Sequence, residues 1–252
     1  MLRVAFLKLT SCSGCLNQAL VALLASEDLL SKYEVVYFTE LGTISSDNYD
    51  LVLVEGSVSN TKQERELEEF RARSKTLVAL GTCAVQGGVQ SLRIGEDIEE
   101  VKKTVYPFPE KIDVYSEPKP VSDIVKVDFF IQGCPVKGEA VVNLLRKYAI
   151  GGLPLILPES VCSECKRKGL TCVMVSQGIP CMGPITVSGC GALCPSFQRG
   201  CYGCYGLRTW DINVFKLEKF IDKVNKLGAP GSMIQTALRG YGYKSFKYVK
   251  GR

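Results

Sequence analysis

The 252-residue chain contains no histidine. That absence excludes Ser-His-Asp triads, Cys-His thiol catalysis and mixed Cys-His zinc sites, and it makes acid-base enzymes poor candidates. No apolar run approaches the roughly 18–20 residues that a membrane-spanning helix requires, so no membrane insertion is expected. Charge of one sign is also scarce. Lys and Arg number 31 against 26 Asp and Glu, and a net charge of +5 spread over the whole length does not by itself indicate nucleic acid. No Gly-x-Gly-x-x-Gly fingerprint follows any apolar run, so no nucleotide site is expected and any NAD(P) or flavin chemistry would belong to a partner. Internal repeats and low-complexity segments are missing as well. With 46% hydrophobic and 23% charged residues, the chain can still build one substantial core or two smaller ones.

What stands out is cysteine, present 12 times. The N-terminus, Met1-Leu2-Arg3-Val4-Ala5-Phe6-Leu7, runs straight into a strand pattern without a basic region, an apolar core or a cleavage site. A cytoplasmic protein is expected. In a reducing compartment such cysteines are better read as metal ligands or redox groups than as a disulfide framework.

Short apolar runs recur in the first 150 residues: Val4 to Leu7, Val35 to Phe38, Leu51 to Val54, Leu77 to Leu80 and Phe129 to Ile131. Unbroken runs of this kind predict parallel strands covered by helices on both faces. Asn17 to Ala25, Lys62 to Arg73 and Lys137 to Tyr148 carry apolar residues at helical spacing, completing the βαβ rhythm of a doubly wound α/β fold. The rhythm stops around Gly151-Gly152-Leu153-Pro154 and Pro158, which divides the chain into residues 1–152 and 153–252. Residues 160–206 hold eight cysteines among glycines and prolines, with too little periodic apolar sequence to fold by burial alone. Bound metal would supply much of the folding free energy there. A helix is predicted over Val214 to Leu227, followed by a tail in which Tyr241, Tyr243, Phe246 and Tyr248 alternate with basic residues. Such side chains are expected to pack against another subunit.

Cys12 and Cys15 follow the first strand, Cys83 follows the fourth and Cys134 the last. An open parallel sheet delivers such loops to one edge, so the four can converge despite their separation in sequence. Gly14, Gly81 and Gly133 beside them would let backbone approach a bulky group and donate N–H bonds to sulfur. Four converging thiolates suit a cubane iron-sulfur cluster. Taken singly, Cys83 and Cys134 also read as ordinary buried cysteines, and the Cys12-x-x-Cys15 pair as a redox dithiol or half a zinc site. The other eight divide into Cys162, Cys165, Cys172, Cys181 and Cys190, Cys194, Cys201, Cys204. Each quartet suits a 4Fe-4S cluster, with an all-cysteine zinc site as the serious rival, since spacing alone separates the two only weakly. A zinc-scaffold nucleic-acid-binding protein, supported by the basic aromatic tail, is therefore the competing class.

Cys12-Ser13-Gly14-Cys15, Val54-Glu55-Gly56-Ser57, Gly81-Thr82-Cys83-Ala84, Gly133-Cys134-Pro135 and Pro180-Cys181-Met182-Gly183-Pro184 together resemble the small subunit of nickel-iron hydrogenases, up to about residue 211. The resemblance implies a flavodoxin-like domain followed by an irregular cysteine-rich iron-sulfur domain. It implies a proximal cluster on Cys12, Cys15, Cys83 and Cys134, facing the nickel-iron centre of a separate large subunit. The medial cluster would lie on Cys190, Cys194, Cys201 and Cys204, and the distal one on Cys162, Cys165, Cys172 and Cys181. The chain would thus be the electron-transfer subunit of an oxidoreductase, with no catalytic residue of its own and with further iron-sulfur or flavin subunits as partners.

Where periplasmic members carry a histidine on the distal cluster, this chain has Cys162; where their medial site has proline in place of a fourth cysteine, Cys194 stands before Pro195. Three 4Fe-4S clusters are therefore expected. Ser13 and Gly14 lack the extra cysteines of oxygen-tolerant members, and Asn17 replaces an acid found in many relatives. With no twin-arginine leader, these departures resemble the cytoplasmic archaeal sulfhydrogenase type; the gamma-type subunit of F420-reducing hydrogenases is the near alternative. The cluster-bearing subunit of complex I is similar over the first domain only.

Overall fold

The computed structural model describes residues 1–43, 48–155, 159–209 and 211–250. Pro158, read above as part of the boundary between halves, lies outside them. All five apolar runs form parallel strands: β1 (Leu2–Lys8), β2 (Tyr33–Phe38), β4 (Tyr49–Glu55), β5 (Ser74–Leu80) and β6 (Phe129–Ile131). A two-residue strand that the pattern could not reveal, β3 (Gly42–Thr43), pairs antiparallel with β2. The sheet order is β3-β2-β1-β4-β5-β6, which for the parallel strands alone is second, first, third, fourth, fifth. That is the flavodoxin-like order, and its switch point falls at β1, between β2 and β4.

Alternate residues of β1 feed opposite cores. Val4 and Phe6 pack with Leu16, Ala19 and Leu144 from the Gly14–Leu24 and Gly138–Tyr148 helices. Ala5 and Leu7 pack instead with Leu67 and Phe70 of the Thr61–Ala72 helix. Because both faces are covered, β4 is buried along all seven residues, which is why its sequence does not alternate. The Thr61–Ala72 helix starts where the Asn60 side chain accepts the Gln63 N–H, satisfying a donor that has no partner within the helix.

The second half is built from short helices, among them Val161–Arg167, Val173–Ser176 and Leu193–Ser196, followed by the predicted helix at Val214–Lys226. Its smaller apolar cluster contains Val161, Val173 and Ala192 together with Cys181 and Cys201, so cysteines occupy the place of core aliphatics. The tail folds back on its own chain as the Tyr243–Lys250 helix. The Tyr243 hydroxyl donates to Glu117, Ser245 donates to Gln86 through both its amide and its hydroxyl, and Phe246 joins an apolar cluster with Leu217 and Leu238. These side chains thus have contacts within this subunit; that of Tyr248 lies outside the described side chains. Among the described residues no helix is long and apolar enough to cross a membrane.

Candidate metal centre

The C-terminal ends of β1, β4, β5 and β6 meet at one edge, and the first four cysteines lie there. Cys15 opens the Gly14–Leu24 helix, Cys83 sits in the Gly81–Gln86 helix directly after β5, and Cys134 follows β6. The Thr82 amide donates to the Gly133 carbonyl at 2.8 Å, tying the ends of β5 and β6 together. Cys15 and Cys83 are buried mainly by the protein around them, and that burial is the first cause pushing both thiols up. Cys83 rises to about 12, with Cys134 and Cys12 adding to the effect. Glu55, Cys83 and Cys134 act on Cys15 in the same way. Each of the four cysteines therefore lies within electrostatic reach of at least two of the others.

Backbone crowds these sulfurs. A Cβ built on Gly81 would lie 2.4 Å from Cys15 Sγ, one on Gly88 2.4 Å from Cys83 Sγ, and one on Gly14 3.3 Å from Cys12 Sγ. Gly81 also holds a φ of +86°, which a side chain would strain. The positions of Gly14 and Gly81 were readable from the sequence; that of Gly88 was not, since it acts across a turn.

Two further residues matter that sequence reasoning left without a role. Glu55, the last residue of β4 and 1% exposed, accepts the amides of Cys15 at 3.2 Å and Leu16 at 2.8 Å. A carboxylate directly after the apolar run Leu51 to Val54 was its signal. Tyr205 is buried between the halves: a Cβ on Gly133 would come within 3.0 Å of its ring, and one on Gly189 within 2.9 Å. No local pattern announces that wedge. Beside it, the Thr82 hydroxyl donates to the Cys204 carbonyl at 2.7 Å.

Cys190, Cys194, Cys201 and Cys204 all line a cavity of about 330 Å³ whose wall also includes Cys134 and Tyr205. Burial raises Cys204 to about 12, followed by the charges of Cys190 and Cys134. The other four, Cys162, Cys165, Cys172 and Cys181, lie near one another: burial raises Cys165 to about 11, with Cys162, Cys181 and Cys172 next in effect and Cys190 after them. Gly183 lies against this group, where a Cβ would be 3.3 Å from Cys181 Sγ and 3.7 Å from Cys162 Sγ. The two groups touch where the Cys201 amide donates to Cys181 Sγ at 3.2 Å, and the Gly203 amide donates to Cys201 Sγ at 3.4 Å.

The donor set fits iron-sulfur groups. Buried thiols raised in this way stay protonated at neutral pH, and only a strongly positive centre would turn four neighbours into thiolates together. Glycines pressed on sulfur and amides aimed at it supply the close approach and N–H bonding that a cluster needs.

The basic run Lys166-Arg167-Lys168 is partly committed within the chain. Arg167 pairs with Glu159 at 2.5 Å and Lys168 Nζ donates to the Gly191 carbonyl at 2.5 Å, while Lys166 lies within electrostatic reach of Cys162.

Residues 12–148 match the family described as NADH ubiquinone oxidoreductase, 20 Kd subunit. Sulfhydrogenase 2 subunit delta of Pyrococcus furiosus is 39% identical over 206 residues, covering 81% of this chain and 86% of that one. A vhu subunit of the F420-non-reducing hydrogenase of Methanococcus voltae is 32% identical over 234 residues, covering 81% of this chain and 82% of that one. An actinobacterial-type NiFe-hydrogenase structure from Ralstonia eutropha shares the fold, with a TM-score of 0.60 at 15% identity, over 99% of this chain and 90% of that one. With its first domain shared by the 20 kDa oxidoreductase subunit and most of its length by hydrogenase relatives, the chain belongs to the small-subunit family of nickel-iron hydrogenases.

Proposed function

We propose that this chain relays single electrons through three 4Fe-4S clusters between the nickel-iron centre of a large subunit, where hydrogen is oxidised or protons reduced, and a further electron-transfer subunit. The proximal cluster would be held by Cys12, Cys15, Cys83 and Cys134. Cys190, Cys194, Cys201 and Cys204 would hold the medial one, and Cys162, Cys165, Cys172 and Cys181 the distal one. Residues 1–152 would form the domain of the first cluster and 153–252 that of the other two. The carrying observation is the order of the groups: Cys134 lines the same cavity as the medial four, and Cys201 donates to the sulfur of Cys181. That order supports a row in which each group neighbours the next.

When bound, the clusters supply one-electron chemistry; the chain supplies the rest. Its glycines admit the clusters, its amides favour thiolate over thiol, and Tyr205, wedged between the Cys134 and Cys190 loops, keeps water out of the gap. Twelve cysteines without a disulfide among the described residues suit a reducing cytoplasm. The test is metal analysis of the anaerobically purified complex. About twelve irons per small subunit are expected, with reduced-cluster electron paramagnetic resonance signals. Two or three zincs without iron would overturn the reading and favour the zinc scaffold.

A further inference from the structure

Glu164 lies between Cys162 and Cys165 on the Val161–Arg167 helix, yet its carboxylate serves the loop of the other cysteine group. Oε1 accepts the amides of Gly189 and Gly191, each at 3.0 Å, and Oε2 accepts that of Ala192 at 3.0 Å. Oε2 also lies 3.6 Å from Cys190 Sγ. Three amides can point at one carboxylate because the loop runs through positive φ, at +131° for Gly189, +67° for Gly191 and +51° for Ala192. Successive amides in this conformation form a concave anion-binding nest, and here the anion is a side chain from the neighbouring group's helix. Lys168, from the C-terminal end of the same helix, holds the Gly191 carbonyl. One helix therefore grips both polarities of the Cys190 loop. None of this follows from cysteine spacing, since Glu164 in sequence is merely a polar residue inside a Cys-x-x-Cys pair.

We infer that Glu164 is a positioning residue that clips the medial loop to the distal helix and, by keeping a negative charge against Cys190, holds the medial site at a lower reduction potential than its thiolates alone would set. A fixed negative charge opposes the arrival of an electron nearby. The same carboxylate engages the Gly189 and Gly191 amides, which are then not free to turn toward sulfur and raise the potential, and it shares the Ala192 amide with Cys190. This inference rests on the relay reading above and concerns one site within it.

The test is a redox titration, followed by electron paramagnetic resonance, of the purified complex carrying Glu164→Gln or Glu164→Asp. The medial signal is identified as the one altered by Cys194→Ala. Glu164→Gln should raise the midpoint of that signal alone, because glutamine keeps an acceptor for the nest but removes the charge and turns an amide donor toward Cys190. Glu164→Asp should retain the parent midpoint. Hydrogen exchange at residues 189–192 should quicken in Glu164→Gln and stay near the parent rate in Glu164→Asp. If Glu164→Gln instead loses iron while Glu164→Asp keeps it, the charged clip is supported by that loss. All three midpoints unchanged in Glu164→Gln, with iron retained, overturn the inference and leave the relay standing; loss of iron in both variants also overturns it. A parent complex without iron-sulfur signals sinks the relay itself.

Discussion

Glu55 offers the sharpest test of how the fold positions its first cysteines. It is 1% exposed, and its two oxygens accept the Cys15 and Leu16 amides at the N-terminus of the Gly14–Leu24 helix. Replacing it with alanine leaves both N–H groups buried without a partner. Bonds to a charged acceptor contribute about 1.5–3 kcal/mol each, so the gross loss is roughly 3–6 kcal/mol. Part of that is returned, because burial works against the charge of Glu55 and raises its carboxyl above the ordinary range. A net cost of about 3 kcal/mol corresponds to a fall in Tm of roughly 6–12 °C for a chain of this size. Glutamine, with one carbonyl able to serve one amide, should lose about half as much. The assay is thermal unfolding of the anaerobically purified complex, followed by circular dichroism. A Glu55→Ala protein melting within about 2 °C of its parent would refute the reasoning, since two orphaned buried amides cannot cost so little.

Gly81→Ala should deprive the complex of about four of its twelve irons, because the new methyl group would sit 2.4 Å from Cys15 Sγ on a backbone held at φ +86°. Full iron content by metal analysis would contradict the cradle. Cys194→Ala should turn the medial site into a three-iron cluster, lowering iron by about one per chain and adding a resonance signal in oxidised protein. An unchanged spectrum would refute its assignment. Asp128 gives a pH test. Burial raises its carboxyl, but the Leu77 amide and Arg71 guanidinium outweigh that and hold it below the ordinary carboxylate range. The folded state therefore binds the proton less readily than the unfolded one, so this stabilisation is present above the unfolded value and is lost as pH falls through the folded one. Asp128→Asn should be less stable than its parent near pH 6, and the difference should shrink as pH falls below the ordinary carboxylate range, by urea unfolding. Parallel curves across that range would remove Asp128 from the account.

The strands and long helices were readable because their burial follows a local period. Val4 and Ala5 sit on opposite faces of β1, both faces are covered, and the sequence shows it as an unbroken apolar run. The helix read as Asn17 to Ala25 starts three residues earlier, at Gly14, because Glu55, remote in sequence, accepts the amides of its first turn. The contacts of the tail within the chain were illegible for the opposite reason. Its alternating basic and aromatic residues look like an interface in any context, and only the partners Gln86, Glu117 and Asp123, more than 100 residues away, reveal that they face this chain.

Sequence alone determined the α/β class, the succession of parallel strands along the chain and the placing of Cys12, Cys15, Cys83 and Cys134 just past strand ends, because each depends on periodicity or on short spacings. Tertiary structure decided which polar groups serve those sulfurs. Glu55, Gly88, Glu164 and Tyr205 reach their targets across loops and between halves of the molecule, through hydrogen bonds and close contacts that act over a few ångströms of space regardless of separation along the chain. Such contacts leave no local imprint on the sequence, since a carboxylate or a tyrosine reads the same whether it faces solvent or a neighbouring thiol.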